Sequence, residues 1–170
     1  SEFGYKHVYG DGLDSTDESA DAVLSRRSII IYRYYDDTAP LLGGSESPSL
    51  ERFAKGLSNL ILRVRKKVCD NPENNLNEAT FKCYLVAHSM GGLVCRAFLQ
   101  NKALGEESAR ASVDKFFTYA TPHNVIEMAG INVPKWLGAM DMNTFNRDGL
   151  SDLLALKSEF KNTGRVDWIP

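Results

Sequence analysis

Tyr84-Leu85-Val86-Ala87-His88-Ser89-Met90-Gly91-Gly92-Leu93-Val94 is the stretch that decides how this chain reads. It begins inside an apolar run, Phe81 to Ala87, of strand composition whose apolar end predicts burial on both faces. It ends in a segment with Leu93, Val94, Ala97 and Phe98 at helical steps, running to about Lys102. Ser89 stands between them, with Ala87 and Gly91 each two residues away. A strand that turns into a helix so abruptly has room only for tiny flanking side chains, and it pushes the residue at the apex outward. The spacing is that of a nucleophile elbow, and Gly92 allows close helix packing. The helix N-terminus brings oriented N–H groups and positive potential to the turn, with the backbone N–H of Met90 expected to bind an oxyanion. The plainer reading makes Ser89 only the cap of the following helix.

Outward from this stretch the segments alternate. Ser15-Thr16-Asp17-Glu18 reads as a capping box and predicts a short helix through Ala20, Val23 and Leu24 to about Arg27. Ser28 to Tyr35 is β-branched and aromatic, hence a strand. Asp36-Asp37 and Gly43-Gly44 to Pro48 mark a loop, with Pro48 in the first turn of a helix capped by Ser47. In that helix Leu50, Phe53, Ala54, Leu57, Leu60, Ile61, Val64 and Val68 make one apolar stripe. Asp70 to Glu78 is a polar loop, and Val113 to Tyr119 is another strand ending at Ala120-Thr121-Pro122-His123. The alternation implies parallel strands joined by right-handed crossovers, an α/β layered sheet. In such sheets chemistry sits at the carboxyl ends of the strands, where Ser89 and the Thr121-Pro122-His123 loop both emerge.

From about Val125 the apolar residues, Trp136, Met140 and Met142 among them, fit neither period, and a short helix is expected from Ser151 to about Phe160. Residues 126–170 read either as a cap-like helical extension over the site or as a surface excursion packed on the sheet. Ser1-Glu2-Phe3 reads as a cloning scar outside the fold.

The composition excludes several classes. The 170 residues fit one domain, and 43% hydrophobic with 25% charged residues is ordinary for a globular protein. A net charge of −2 leaves no electrostatic footprint for nucleic acid. The basic cluster Arg63, Arg65, Lys66 and Lys67 lies at the end of a helical pattern, where cations complement the dipole. The apolar runs fall short of the about 20 residues that span a bilayer, so no transmembrane segment is expected, and no leader opens the chain. Cys69, Cys83 and Cys95 cannot all pair, and no Asn-x-Ser/Thr acceptor occurs; both lean toward an intracellular, cytoplasmic setting. No cofactor and no metal are expected.

Tyr84 to Val94 resembles the elbow of α/β-hydrolase esterases and lipases, with Ala87 where the family more often has glycine. Phe117-Thr118-Tyr119-Ala120-Thr121-Pro122-His123-Asn124 resembles the strand-to-loop segment with a Thr-Pro-His signature in lipase-like and GPI-deacylase-like members. The resemblance covers roughly residues 28 to 125 and implies an α/β-hydrolase core over residues 4–125. It also implies a second oxyanion donor in a loop after an earlier strand. Tyr9-Gly10-Asp11-Gly12 is either that loop, with Gly12 lining the substrate, or an ordinary Gly-rich turn; the upstream strand is poor and His7 does not adjoin the glycine.

A serine hydroxyl needs a general base, usually His oriented by a carboxylate, and this fold supplies them in the order Ser, acid, His. His7 lies upstream, and His88 sits inside the turn with its side chain pointing away. His123 follows only the first strand beyond Ser89, whereas the family's base belongs after at least two further strand–helix units. The resemblance makes His123 part of the site floor, a substrate-lining residue rather than the base. Asp114 precedes a strand, Asp141, Asp148 and Asp152 fall in the extension, Asp167 is at the end, and Asp36-Asp37 precede the serine. The chain is therefore expected to be a fragment truncated before the C-terminal strands, weakly active alone, with its acid and base beyond Pro170. The resemblance implies a serine hydrolase that cleaves small-molecule or lipid carboxylic esters through an acyl-enzyme on Ser89. A non-catalytic binding module on the same fold and an acyltransferase stand as alternatives.

Overall fold

The computed structural model describes residues 6–10, 23–32, 49–123 and 147–155. Helix α1, Leu50–Cys69, is the longest element among the described residues. Ser49 caps it from extended geometry (φ −120°, ψ 152°), its Oγ accepting from the Arg52 N–H at 3.2 Å. The cap is thus Ser49 and not Ser47, which lies with Pro48 outside the described residues. The apolar stripe buries as its spacing requires: Leu50, Phe53, Ala54, Leu57, Leu60, Ile61 and Val68 are all buried, and Val64 is half-buried. Lys66 and Lys67 occupy the last turn, where they face the negative end of the helix dipole.

The polar loop after α1 has a structural task. A 3-10 turn over Pro72–Asn74 brings the Asn71 and Asn74 side chains inside. Both donate to the Leu24 carbonyl, at 3.1 and 2.7 Å, and Asn74 also donates to the Val68 carbonyl at 2.7 Å. Its Oδ1 accepts from the Arg26 N–H at 2.9 Å, and the Leu24 N–H donates to the Lys67 carbonyl at 3.0 Å. These bonds overturn the expectation that a helix runs to Arg27. Residues 23–27 are non-helical, with the main-chain groups of Leu24 and Arg26 committed to the end of α1 and to the turn after it. The capping box itself lies outside the described residues.

Strand β1, Lys6–Gly10, pairs in parallel with β2, Ser28–Tyr32, from Lys6↔Ser28 to Gly10↔Tyr32. The upstream segment, read as a poor strand, is therefore a real one; pairing to a β-branched neighbour outweighs its weak local pattern. Residues 33–35, expected to continue β2, lie outside the described residues. The Tyr32 hydroxyl donates to the Phe53 carbonyl at 3.0 Å and holds β2 against α1.

Strand β3, Cys83–His88, leads through Ser89 into α2, Met90–Gln100. A 3-10 turn and a short helix that the sequence reading missed, α3 (Glu107–Ala111), follow before strand β4, Val113–Tyr119. β3 and β4 are parallel, with Leu85↔Phe116, Val86↔Phe117, Ala87↔Thr118 and His88↔Tyr119 in register and an irregularity between Cys83 and Tyr84. Among the described residues the strands thus form two parallel pairs, β1–β2 and β3–β4. Ala87 is buried, and half-buried Leu85 and Phe116 pack on the core cluster supplied by α1 and α2. The opposite face is open, with Tyr84 62%, Val86 80%, Phe117 54% and Tyr119 74% exposed. Burial of β3 on both faces, expected from its apolar run, is therefore not observed.

Helix α4, Arg147–Leu153, begins four residues before the helix expected from Ser151 to about Phe160, of which residues 156–160 lie outside the described residues. Ala155, at φ 51°, turns the chain out of helical geometry just after it. Leu150, Leu153 and Leu154 are buried in the main core, and the Leu153 carbonyl accepts from Asn101 Nδ2 at 3.0 Å beyond the carboxyl end of α2. Among the described residues no helix is long and apolar enough to cross a membrane.

Candidate active site

Ser89 joins the last residue of β3 to the first of α2 at φ 53° and ψ −129°. A serine that merely caps a helix sits in the β region and gives its side-chain oxygen to a first-turn N–H. Ser89 does neither, and its side chain makes no cap hydrogen bond. A non-glycine residue at such a φ costs about 1–3 kcal/mol and persists only where its surroundings over-determine it. They do so here. Ala87 and Met90 are buried on either side, the Ser89 N–H donates to the Tyr119 carbonyl at 2.9 Å, and its own carbonyl accepts from the Gly92 N–H at 3.0 Å. The result is a half-buried serine whose hydroxyl is not spent on the helix, at an end where backbone N–H groups lack intrahelical partners.

The neighbouring strand ends in a matching bend. Ala120 has φ 50°, and Thr121 then packs against the first turn of α2. A Cβ at Gly92 would lie 2.0 Å from Thr121 Oγ1 and 2.5 Å from its Cγ2, so glycine is required by this approach. Thr121 Oγ1 is itself buried without a hydrogen-bond partner among the described residues. His123 Nε2 and Thr118 Oγ1 share a hydrogen bond of 3.1 Å, and the His123 carbonyl accepts from Arg96 Nη1 at 3.2 Å. Partial burial, and secondarily the Arg96 charge, hold the His123 imidazole below its ordinary pKa, so it is neutral at neutral pH.

The sequence candidates separate accordingly. Ser89 and Met90 sit at the bend between β3 and α2, and His123 lies on the loop leaving the adjacent strand. Gly12 lies outside the described residues, two positions past the last residue of β1. His88 stacks on Tyr119 with ring centroids 5.6 Å apart, on the open sheet face. Asp114 lies near the start of β4, at the opposite end from the bend, and Asp152 is exposed on α4. Asp36, Asp37, Asp141 and Asp167, and the side chain of Asp148, lie outside the described residues. Neither His88 nor His123 hydrogen-bonds to the Ser89 hydroxyl, and the His7 side chain lies outside what is described. Burial pushes the Cys83 thiol up to about 11 and that of Cys95 up to about 12, so neither is a thiolate nucleophile at neutral pH. Among the described residues no group of His, Cys, Asp or Glu is clustered so as to hold a metal ion.

Arg96 is the residue the sequence reading passed over. Its signal was a lone charge inside the apolar run Leu93 to Leu99, on the helix that follows the serine.

Parallel strands flanked by helices, with a sharp strand-to-helix bend carrying a serine, define an α/β-hydrolase-type domain. A family model described as the PGAP1-like alpha/beta domain matches residues 42–132, more than half of the chain, and the chain belongs to that family. No curated protein and no solved structure matches the chain.

Proposed function

We propose that this hydrolase-type domain carries a carboxyl-ester hydrolase site of the esterase or lipase kind, with Ser89 as its nucleophile. The observation that carries the reading is a serine at positive φ in the strand-to-helix bend, with its side chain free of the capping role. In the first step Ser89 Oγ attacks the acyl carbonyl carbon while its proton passes to a general base. The oxyanion so formed accepts from the Met90 N–H, at the positive end of α2. The tetrahedral intermediate collapses by breaking the bond to the alkoxy oxygen, which leaves as the alcohol with the proton returned by the base. Water then attacks the acyl-enzyme in the same manner, releasing the carboxylic acid and restoring the serine. The loop from Thr121 to His123 lines the substrate.

A fluorophosphonate probe offered to the full-length protein tests this directly. Stoichiometric labelling on Ser89, abolished in Ser89→Ala, is the expected result. The absence of labelling, or labelling that survives in Ser89→Ala, overturns the reading and favours a non-catalytic binding module. That second reading has its own motive, since neither His88 nor His123 hydrogen-bonds to Ser89.

A further inference from the structure

We infer that Arg96 is a positioning residue that fixes the substrate-lining loop Thr121–His123 against the nucleophile helix; the inference rests on the reading of Ser89 just given. Arg96 is only 1% exposed, among the most buried side chains of the described residues. A guanidinium so far from water is costly unless its donors are met, so a buried arginine on an otherwise apolar helix requires a reason. Its Nε donates to Gln100 Oε1 at 2.7 Å, one turn along α2, and its Nη1 donates across to the His123 carbonyl at 3.2 Å. The planar fork makes both bonds at once, which a lysine cannot reproduce.

The placement gives these bonds their meaning. Arg96 is seven residues beyond Ser89, two helical turns and about 10 Å along the same side of the helix. Thr121 presses on Gly92 in the first turn, with no space for even a methyl group. The loop leaving β4 is therefore held at two points on α2, by steric contact at Gly92 and by a charge-assisted hydrogen bond at Arg96. The first contact sets how close the loop comes to the bend. The second sets where the main chain of His123 runs, and with it the imidazole bonded to Thr118. Arg96 touches no reacting atom in this scheme; it acts through the loop.

The test compares the wild type with Arg96→Met, Arg96→Lys, Gln100→Ala and Leu150→Ala in the full-length protein. Leu150 is buried on α4 and serves as a control for lost packing alone. With p-nitrophenyl butyrate, Arg96→Met is expected to raise KM about tenfold with little change in kcat, since a displaced wall weakens substrate binding more than bond-making. Arg96→Lys, which keeps the charge but not the fork, should fall between, Gln100→Ala should raise KM about threefold, and Leu150→Ala should leave KM unchanged. A purely structural role would instead lower apparent kcat with the folded fraction and leave KM alone. The His123 ring resonances, read by NMR, report the loop without any turnover, and should move in Arg96→Lys and Gln100→Ala but not in Leu150→Ala. Unchanged KM together with unmoved His123 resonances in folded Arg96 or Gln100 variants overturns the inference. A wild type that hydrolyses no ester sinks the reading of Ser89 instead, and the NMR arm alone then decides the positioning. Should both Arg96 variants unfold, Gln100→Ala decides it, because its side chain is only half-buried.

Discussion

Two residues of α2, Gly92 and Cys95, lend themselves to sharp tests. Gly92→Ala would ordinarily favour a helix, yet here the new methyl collides with Thr121 Oγ1 and Cγ2 at 2.0 and 2.5 Å. The clash outweighs the propensity gain, and the variant should lose about 1–3 kcal/mol, read as a lower urea midpoint. Thr121→Gly in the same background removes the obstructing atoms and should recover part of the loss, whereas independent additive losses would mean the two residues do not touch. Cys95 concerns pH. Its folded thiol is raised by burial to about 12, from an ordinary 9.0. Between those values the unfolded chain has lost the proton and the folded one keeps it, so the unfolded state binds fewer protons and stability falls as pH rises. Unfolding free energy measured from pH 8 upward should decline more steeply in the wild type than in Cys95→Ala, and parallel curves would contradict the burial.

At the scale of elements, α1 was the easiest to read, because a stripe with a 3.6-residue period needs only its own residues to declare itself. Its cap was misplaced by two residues. Ser47 and Ser49 flank Pro48 and both suit the role, and the choice was settled by which hydroxyl reaches an N–H, that of Ser49 to Arg52. The loop after α1 was legible only as polar. Asn74 spends its amide on the Leu24 and Val68 carbonyls and on the Arg26 N–H, which ties the entry to β2 to the exit from α1. Nothing local announces a bond to residues so far back along the chain. Asn74→Ala should cost about 1–3 kcal/mol, since it leaves buried main-chain groups unmet. Hydrogen exchange should show faster opening around Arg26 in that variant before the centre of α1 is affected; uniform change would deny the peg its local role.

For the molecule as a whole, the one-sided burial of β3 and β4 is the largest departure from what the residue pattern implied. Tyr84, Val86, Phe117 and Tyr119 form an apolar face open to solvent, and contiguous apolar surface of this kind binds hydrophobic dyes. The native protein should enhance the fluorescence of anilinonaphthalene sulfonate, and the double variant Val86→Lys with Tyr119→Lys should do so much less at an unchanged urea midpoint. Equal fluorescence would mean that the face is covered in solution. The bend itself was legible from the outset: small residues around Ser89, an apolar strand before it and an apolar helix after it interact within a few positions, so their order was enough to place it. Arg96 was not legible in that way. An arginine among leucines can be solvated, paired or buried, and the partners that folding brings to it, the His123 carbonyl from the end of β4 among them, determine which. The amino-acid sequence by itself determined the strand–helix alternation from β2 to β4, the α1 stripe and the serine at the turn, because each rests on short-range sterics and periodicity. The tertiary structure alone decided which polar groups are buried, which sheet face is open and what holds the loop beside Ser89, because those depend on which distant backbone atoms come within bonding reach.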